Sequence, residues 1–345
     1  MNVSASAPTV GTARPRSVRR VVAFAVAAVA GVGLSACAEG HPEPTGSDVP
    51  AAVTTAAAVD TPDATATATV LTGTRYYLDT SGTAAEIHAI RGDVDRVTAR
   101  IPLGAGSCIR NTITISPYGE RLAWVEGGVG QDAGTLVTAM IDGSRKRVVE
   151  RQAPFRGKAR CLGSNPLVWN TNDLLLVEQS GTVPALIDVA ENKPADGDAG
   201  NETLKWWSAN GQSWAAVSEG KPYATDGRGA HFYHYTPPKA EAARHDGWRV
   251  RSVSMDGRYV AVGWMNTDPS REDGSFAVVD TTTSKVVELP GTGQVRSILF
   301  TSDDKVIVRR ATGITVLDKS FRPLGAVEEP SAVRDRALLA YVPIR

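Results

Sequence analysis

From about Thr72 to the C-terminus the chain is written in short apolar or β-branched runs, separated by Gly, Asp, Asn, Ser and Pro. Hardly any window keeps an apolar residue at helical spacing. Alternation and short continuous apolar runs recur instead, so the pattern predicts strands. One unit repeats: an apolar strand, a polar turn and a second apolar strand. It occurs at Ile113–Val125, Leu167–Val177, Leu204–Val217, Arg251–Val262 and Ser297–Val308. The first turn residues are Ser116, Asn170, Ser208, Ser254 and Thr301, spaced 54, 38, 46 and 47 residues apart. The mean lies near the length of a four-stranded propeller blade. Further strands follow the cores, such as Leu136–Asp142, Phe276–Asp280 and Ile314–Asp318. The third strand tends to end in Asp (Asp142, Asp188, Asp280, Asp318), a residue that accepts hydrogen bonds from the backbone of a following turn.

Ser116-Pro117-Tyr118-Gly119 and Ser254-Met255-Asp256-Gly257 resemble the Ser-Pro-Asp-Gly repeat of the TolB-like and WD40-like β-propellers of bacterial envelopes. The resemblance covers roughly residues 72–345 and implies a fold much more than a function. The Gly-His and Trp-Asp signatures of eukaryotic WD40 blades are absent. The expected fold is all-β, a six-bladed β-propeller, with seven blades as the alternative. Thr74–Asp79, Glu86–Ile90 and Arg96–Arg100 supply three strands of a first blade that lacks its innermost one. Ala337–Pro343 is a strand with no blade of its own. Pairing the two completes the blade and closes the ring, which leaves no long free edge and is compatible with a monomer.

The N-terminus has a different texture. Arg14, Arg16, Arg19 and Arg20 precede a 14-residue apolar run, Val21 to Leu34, too short to span a bilayer comfortably. Basic flank, short apolar core and small residues describe a signal peptide over 1–36. Leu34-Ser35-Ala36-Cys37 resembles the lipobox of bacterial lipoproteins. The resemblance implies diacylglycerol transfer to the Cys37 thiol, cleavage before it and, with N-acylation (palmitate is the expected chain), two-chain anchorage. Ser17-Val18-Arg19-Arg20 is an incomplete twin-arginine motif, and the general secretory route is the expected one. Residues 38–70 contain no Lys, Arg or aromatic residue and are dominated by Ala, Thr, Pro and Asp, so 37–71 reads as a lipidated Cys followed by a disordered tether. As a coil it would span roughly 30 Å. The propeller then occupies 72–345, placed on the outer face of the cytoplasmic membrane or elsewhere in the cell envelope.

Charge narrows the partners. The chain has 37 basic and 37 acidic residues; the four arginines leave with the signal, so 33 face 37, near −4. A weakly acidic surface does not suit nucleic acid. The expected contacts are the membrane, through the lipid, and a protein, peptide or glycan partner. Cys108 and Cys161 precede the turn residues Ser116 and Asn170 of their repeats by 8 and 9 residues. In the propeller reading they lie on equivalent connections of adjacent blades, and an exported protein would join them in a disulfide. The other reading is two separate buried thiols.

His231-Phe232-Tyr233-His234-Tyr235 is the densest cluster of functional side chains. In a strand His231, Tyr233 and Tyr235 share a side, as a ligand-facing group or as packing between blades. The loops Asp196–Glu202 and Asp268–Asp273 are acidic without matching a calcium-loop spacing. No Gly-x-Ser-x-Gly elbow, His-Glu-x-x-His or phosphate loop is present. No metal, cofactor or catalytic residue is therefore expected, and the reading leans away from an enzyme. The alternative is a propeller that uses its central channel for catalysis or for a small molecule.

Overall fold

The computed structural model describes residues 71–344, apart from 105–107, 128–132, 162–165, 196–202, 219–220, 227–228 and 266–273. The signal, Cys37 and the tether up to residue 70 lie outside the described residues, as do both acidic loops; Leu71, expected in the tether, is buried in a core with Tyr77 and Leu338.

The fold is a six-bladed, all-β propeller. Blade 1 contains β1 (Thr74–Asp79), β2 (Ala84–Arg91) and β3 (Val94–Pro102). Blade 2 contains β4 (Thr114–Ile115), β5 (Arg121–Glu126), β6 (Ala133–Met140) and β7 (Arg147–Val148). An extra strand, β8 (Ala159–Arg160), pairs with β6. Blade 3 is β9 (Leu167–Trp169), β10 (Leu174–Val177), β11 (Ala185–Asp188) and β12 (Lys193–Pro194). Blade 4 is β13 (Thr203–Trp207), β14 (Trp214–Ser218), β15 (Lys221–Asp226) and β16 (Gly229–Phe232). Blade 5 is β17 (Gly247–Val253), β18 (Tyr259–Met265), β19 (Ser275–Asp280) and β20 (Lys285–Val287). Blade 6 is β21 (Val295–Phe300), β22 (Val306–Arg310), β23 (Gly313–Leu317) and β24 (Pro323–Glu328). The last strand, β25 (Ala337–Val342), joins blade 1 antiparallel to β1, in the order β25-β1-β2-β3. The first strand of each of the other blades touches the first strand of its neighbours, and β25 touches β4 and β21. Six inner strands thus form a closed ring around an axis.

The repeat turns explain why these residues fold this way. After each inner strand of blades 2 to 6 a hydroxyl holds the turn. Ser116 Oγ accepts from the Arg121 N–H at 3.0 Å, Ser208 Oγ from Ser213 at 3.0 Å, Ser254 Oγ from Tyr259 at 2.9 Å and Thr301 Oγ1 from Lys305 at 3.0 Å. In blade 3, where Asn170 replaces the hydroxyl residue, Thr171 Oγ1 accepts from Leu174 at 3.2 Å. Gly257 has φ 76°, and a Cβ there would lie 2.2 Å from the Thr225 carbonyl oxygen of blade 4, so both backbone and space demand glycine. The Asp residues at third-strand ends act in the next turn. Asp142, Asp188, Asp280 and Asp318 each accept at least one backbone N–H from it, at 2.8–3.3 Å.

The cores lie between blades. Cys108, Phe155, Trp169 and Leu175 belong to one that spans blades 2 and 3, and Ala215, Tyr233, Val250 and Val262 to one between blades 4 and 5. At the seam between blades 6 and 1 the packing is joined by buried polar groups. Arg309 and Glu329 are 1% and 0% exposed and are bonded at 2.8 Å. Tyr77 of β1 donates its hydroxyl to the second Glu329 oxygen, and Arg309 lies 5.3 Å over the Tyr77 ring. The remaining guanidinium N–H groups donate to the carbonyls of Arg336 at 2.6 Å, Val333 at 2.9 Å and Arg334 at 3.1 Å. Burial, then the Glu329 charge, pushes the Tyr77 phenol well above its ordinary range and keeps it a donor.

Glu329→Ala would leave Arg309 buried without its counter-charge, at a cost of about 3–5 kcal/mol. Thermal unfolding should show a midpoint lowered by roughly 10 °C. A shift within one or two degrees would mean that the seam does not hold the ring.

Candidate interaction face and channel

Strand direction sorts the connections between two rims. The turns that follow first and third strands are tight and lie on one rim. The links from each blade to the next lie on the opposite rim and are longer: 103–113, with a helical turn at Ile109–Thr112; 149–166, with β8; 233–246, with a helical turn at Lys239–Ala242; 288–294; and 329–336, with a 3-10 turn at Ser331–Val333. On this rim Cys108 and Cys161 form a disulfide with Cα atoms 5.0 Å apart. It ties the link entering blade 2 to the link entering blade 3 and lies over Gly127, where a Cβ would come within 2.5 Å of the Cys108 sulfur. Gln179, 4% exposed, fastens the 149–166 link by accepting from the Arg156 N–H at 2.7 Å and donating to the Pro154 carbonyl at 3.3 Å.

Of the cluster at 231–235, expected as one strand, only His231 and Phe232 lie in β16; Tyr233 to Tyr235 follow it in the link to blade 5. Tyr233 is buried in the core between blades 4 and 5. Tyr235 is half-buried, 5.1 Å from the Trp248 ring, and burial pushes its phenol up to about 12. His231 Nε2 is 2.9 Å from Thr281 Oγ1 of blade 5. Phe232 points the other way, 64% exposed, and lies 5.8 Å from the Tyr223 ring. Ser218, Tyr223, Ala230, His231 and Phe232 line an open recess of about 220 Å3 on blade 4. Trp264 stacks between His245 at 4.5 Å and Phe276 at 4.2 Å near the 233–246 link. Adjacent Trp206 and Trp207 are half-buried and buried respectively. Both pack at blade interfaces.

The cations on the inner strands of blades 4 and 5 were not anticipated from the sequence. Lys205 of β13 is buried, with its ammonium 4.0 Å from the Trp214 ring and 5.0 Å from the Trp207 ring. Arg249 and Arg251 lie on β17, with Arg251 at the bulge in its pairing with β18. Burial, then the Arg251 charge, pushes Arg249 well below its ordinary range, while Glu178 of blade 3 opposes the shift. Burial pushes Arg251 down to about 10, yet part of its surface stays accessible to water. Its side chain packs beside Gly263 of β18, where a Cβ would lie 2.6 Å from it, and 6.0 Å from the Trp206 ring of blade 4. The signal for these residues was a charge inside an otherwise apolar strand, as in Trp248-Arg249-Val250-Arg251.

A second polar cluster lies on blade 1. His88 Nδ1 is 2.9 Å from Asp95, and Arg336 reaches Asp79 at 3.0 Å and Asp95 at 3.4 Å. Among the described residues no group of three His, Cys, Asp or Glu is placed to hold a metal ion. No helix among them is long and apolar enough to cross a membrane.

No protein-family model matches the chain, and no curated protein matches it. Solved structures with a similar path include TolB from Acinetobacter baumannii, at 14% identity and TM-score 0.43, covering 74% of this chain and 63% of that one. The putative TolB from Agrobacterium tumefaciens is 15% identical, with TM-score 0.39, over 79% of this chain and 99% of that one. The β-propeller domain of the Trilobed protease from Pyrococcus furiosus is 11% identical, with TM-score 0.40, over 73% and 85%. The chain thus spans less than two thirds of the Acinetobacter protein.

The disulfide closes a sequence separation of 53 residues, worth about 4 kcal/mol by loop entropy. Reductant should lower the thermal midpoint of the wild type and leave a Cys108→Ser/Cys161→Ser variant unchanged. Equal responses would reject the bond.

Proposed function

We propose that the chain is an exported lipoprotein. Its parts are a signal over 1–36, an acylated Cys37 with a tether to residue 71, and a propeller from 72 that binds a protein, peptide or glycan partner and catalyses nothing. The observation that carries this reading is the position of the ring's two ends. Thr74 pairs with Val342, at the place where other blades have their first tight turn. Gly119 of the neighbouring turn approaches both ends: a Cβ there would lie 2.9 Å from Val342 and 3.2 Å from the Tyr76 hydroxyl. The chain before Thr74 therefore joins the ring at the tight-turn rim, and the opposite rim, with its long links, is the one proposed to present to a partner. The Cys108–Cys161 disulfide supports export, because such bonds persist in oxidising compartments.

The anchor is tested by metabolic labelling with a palmitate analogue and by fractionation. The wild type should label and sediment with membranes. Cys37→Ala should do neither and should release a folded propeller. An unlabelled wild type, or a variant that stays membrane-bound, overturns the anchor.

The presenting rim is tested separately with a photocrosslinker at Val183, which is 51% exposed on the long-link rim, and at Lys319 on a tight turn. A discrete adduct is expected from Val183 alone. The reverse pattern would overturn the orientation.

A further inference from the structure

The interaction reading leaves unused the charge carried by β7 and the 149–166 link. Between Arg145 and Arg160 the chain has seven cations and one acid, Glu150. The whole chain is balanced at 37 against 37, so this excess is local. Three of the cations have partners. Lys146 bonds Glu126 at 2.8 Å, Arg147 donates to the Ala190 carbonyl at 3.2 Å, and Arg145 acts on nearby Asp142. The other four, Arg151, Arg156, Lys158 and Arg160, all lie on the link and are exposed. Among the described residues their side chains make no ion pair or hydrogen bond.

The backbone under these cations is fixed at several points. Gln179 holds the Arg156 N–H and the Pro154 carbonyl, and Phe155, 1% exposed, is buried in the core of blades 2 and 3. Ala159 and Arg160 pair with β6, and Cys161 is bonded to Cys108. A surface already ordered loses less entropy when a partner binds. Gln179 also donates to the Val183 carbonyl at 2.8 Å, so an exposed apolar side chain lies beside the basic link. The arginine fork matches a carboxylate through two parallel N–H donors. The link offers no aromatic platform to a sugar, because its one aromatic residue is the buried Phe155. Spaced cations with a valine beside them suit a polypeptide that carries acidic and apolar side chains in turn.

We propose that the 149–166 link is the docking surface for an acidic polypeptide segment of a partner protein. Arg151, Arg156 and Arg160 pair with its Asp or Glu carboxylates, Lys158 adds positive field, and Val183 meets an apolar residue between them. The proposal deepens the interaction reading, on which it rests, by naming the partner's chemistry. It does not depend on the lipid anchor.

The test uses the full chain in detergent and a fluorescein-labelled peptide of alternating Glu and Val, read by fluorescence polarisation. Saturable binding that weakens with added salt is expected, and none to the same peptide with Gln for Glu. The variant Arg151→Glu/Arg156→Glu/Arg160→Glu should weaken binding by about tenfold or more, from three exposed pairs lost together. Arg91→Glu/Arg96→Glu/Lys319→Glu makes the same change in net charge at exposed positions elsewhere and should leave binding close to wild type. Should the first variant lose its circular dichroism spectrum, Arg156→Gln/Lys158→Gln takes its place, with a smaller loss expected. No saturable peptide binding, or equal weakening by the two charge-reversal variants, overturns the site. So does binding to polygalacturonate or to phosphatidylglycerol vesicles with none to the peptide. A Val183 adduct that survives in the Arg151/Arg156/Arg160 variant overturns the site and leaves the interaction reading standing. Peptide binding without any Val183 adduct in the wild type does the reverse.

Discussion

A propeller must join its two ends without a covalent turn, and everything else in this fold depends on how that is done. Five blades inherit a turn between their first two strands; blade 1 has a break there. The join rests on the β1–β25 ladder and on the buried group of Arg309, Glu329 and Tyr77. The group draws on three parts of the chain at once: Tyr77 comes from the start of the ring, Arg309 from blade 6 and Glu329 from the final link. A purely apolar seam would accept a shifted register at modest cost. A buried guanidinium that needs one carboxylate and three particular carbonyls does not.

The repeating fold was legible because its turns are local chemistry. A hydroxyl that accepts an N–H a few residues later, a glycine with positive φ and an aspartate that caps the next turn can all be recognised from neighbours in sequence. That made six blades, their closure and the place of the cysteines readable before any coordinates. Residues whose partners are remote were not legible in the same way. Arg309 and Glu329 are 20 residues apart, and Tyr77 is 252 residues from Glu329. The 231–235 cluster shows a related limit: its strand ends at Phe232, and only packing reveals that Tyr233 belongs to an interblade core.

The division of labour between rims follows from chain direction. Links between blades must travel from an outer strand to the next inner strand, so they are long and can take insertions such as β8 and the helical turn at Lys239–Ala242. Turns within a blade join adjacent antiparallel strands and stay short. One rim can therefore vary in shape while the other keeps its geometry, and the disulfide limits that variation where two long links run side by side.

The place of β1 within its sheet has a mechanical consequence. It is not an edge strand: β25 holds one side and β2 the other. Ladder hydrogen bonds run across the strands. A pull delivered through the preceding chain acts along β1 and loads both ladders in shear, so that many bonds resist together. The same pull on an outermost strand could peel its bonds in sequence. Thr74 thus enters the ring at a position suited to bearing tension, and any force applied there enters beside the seam that closes it.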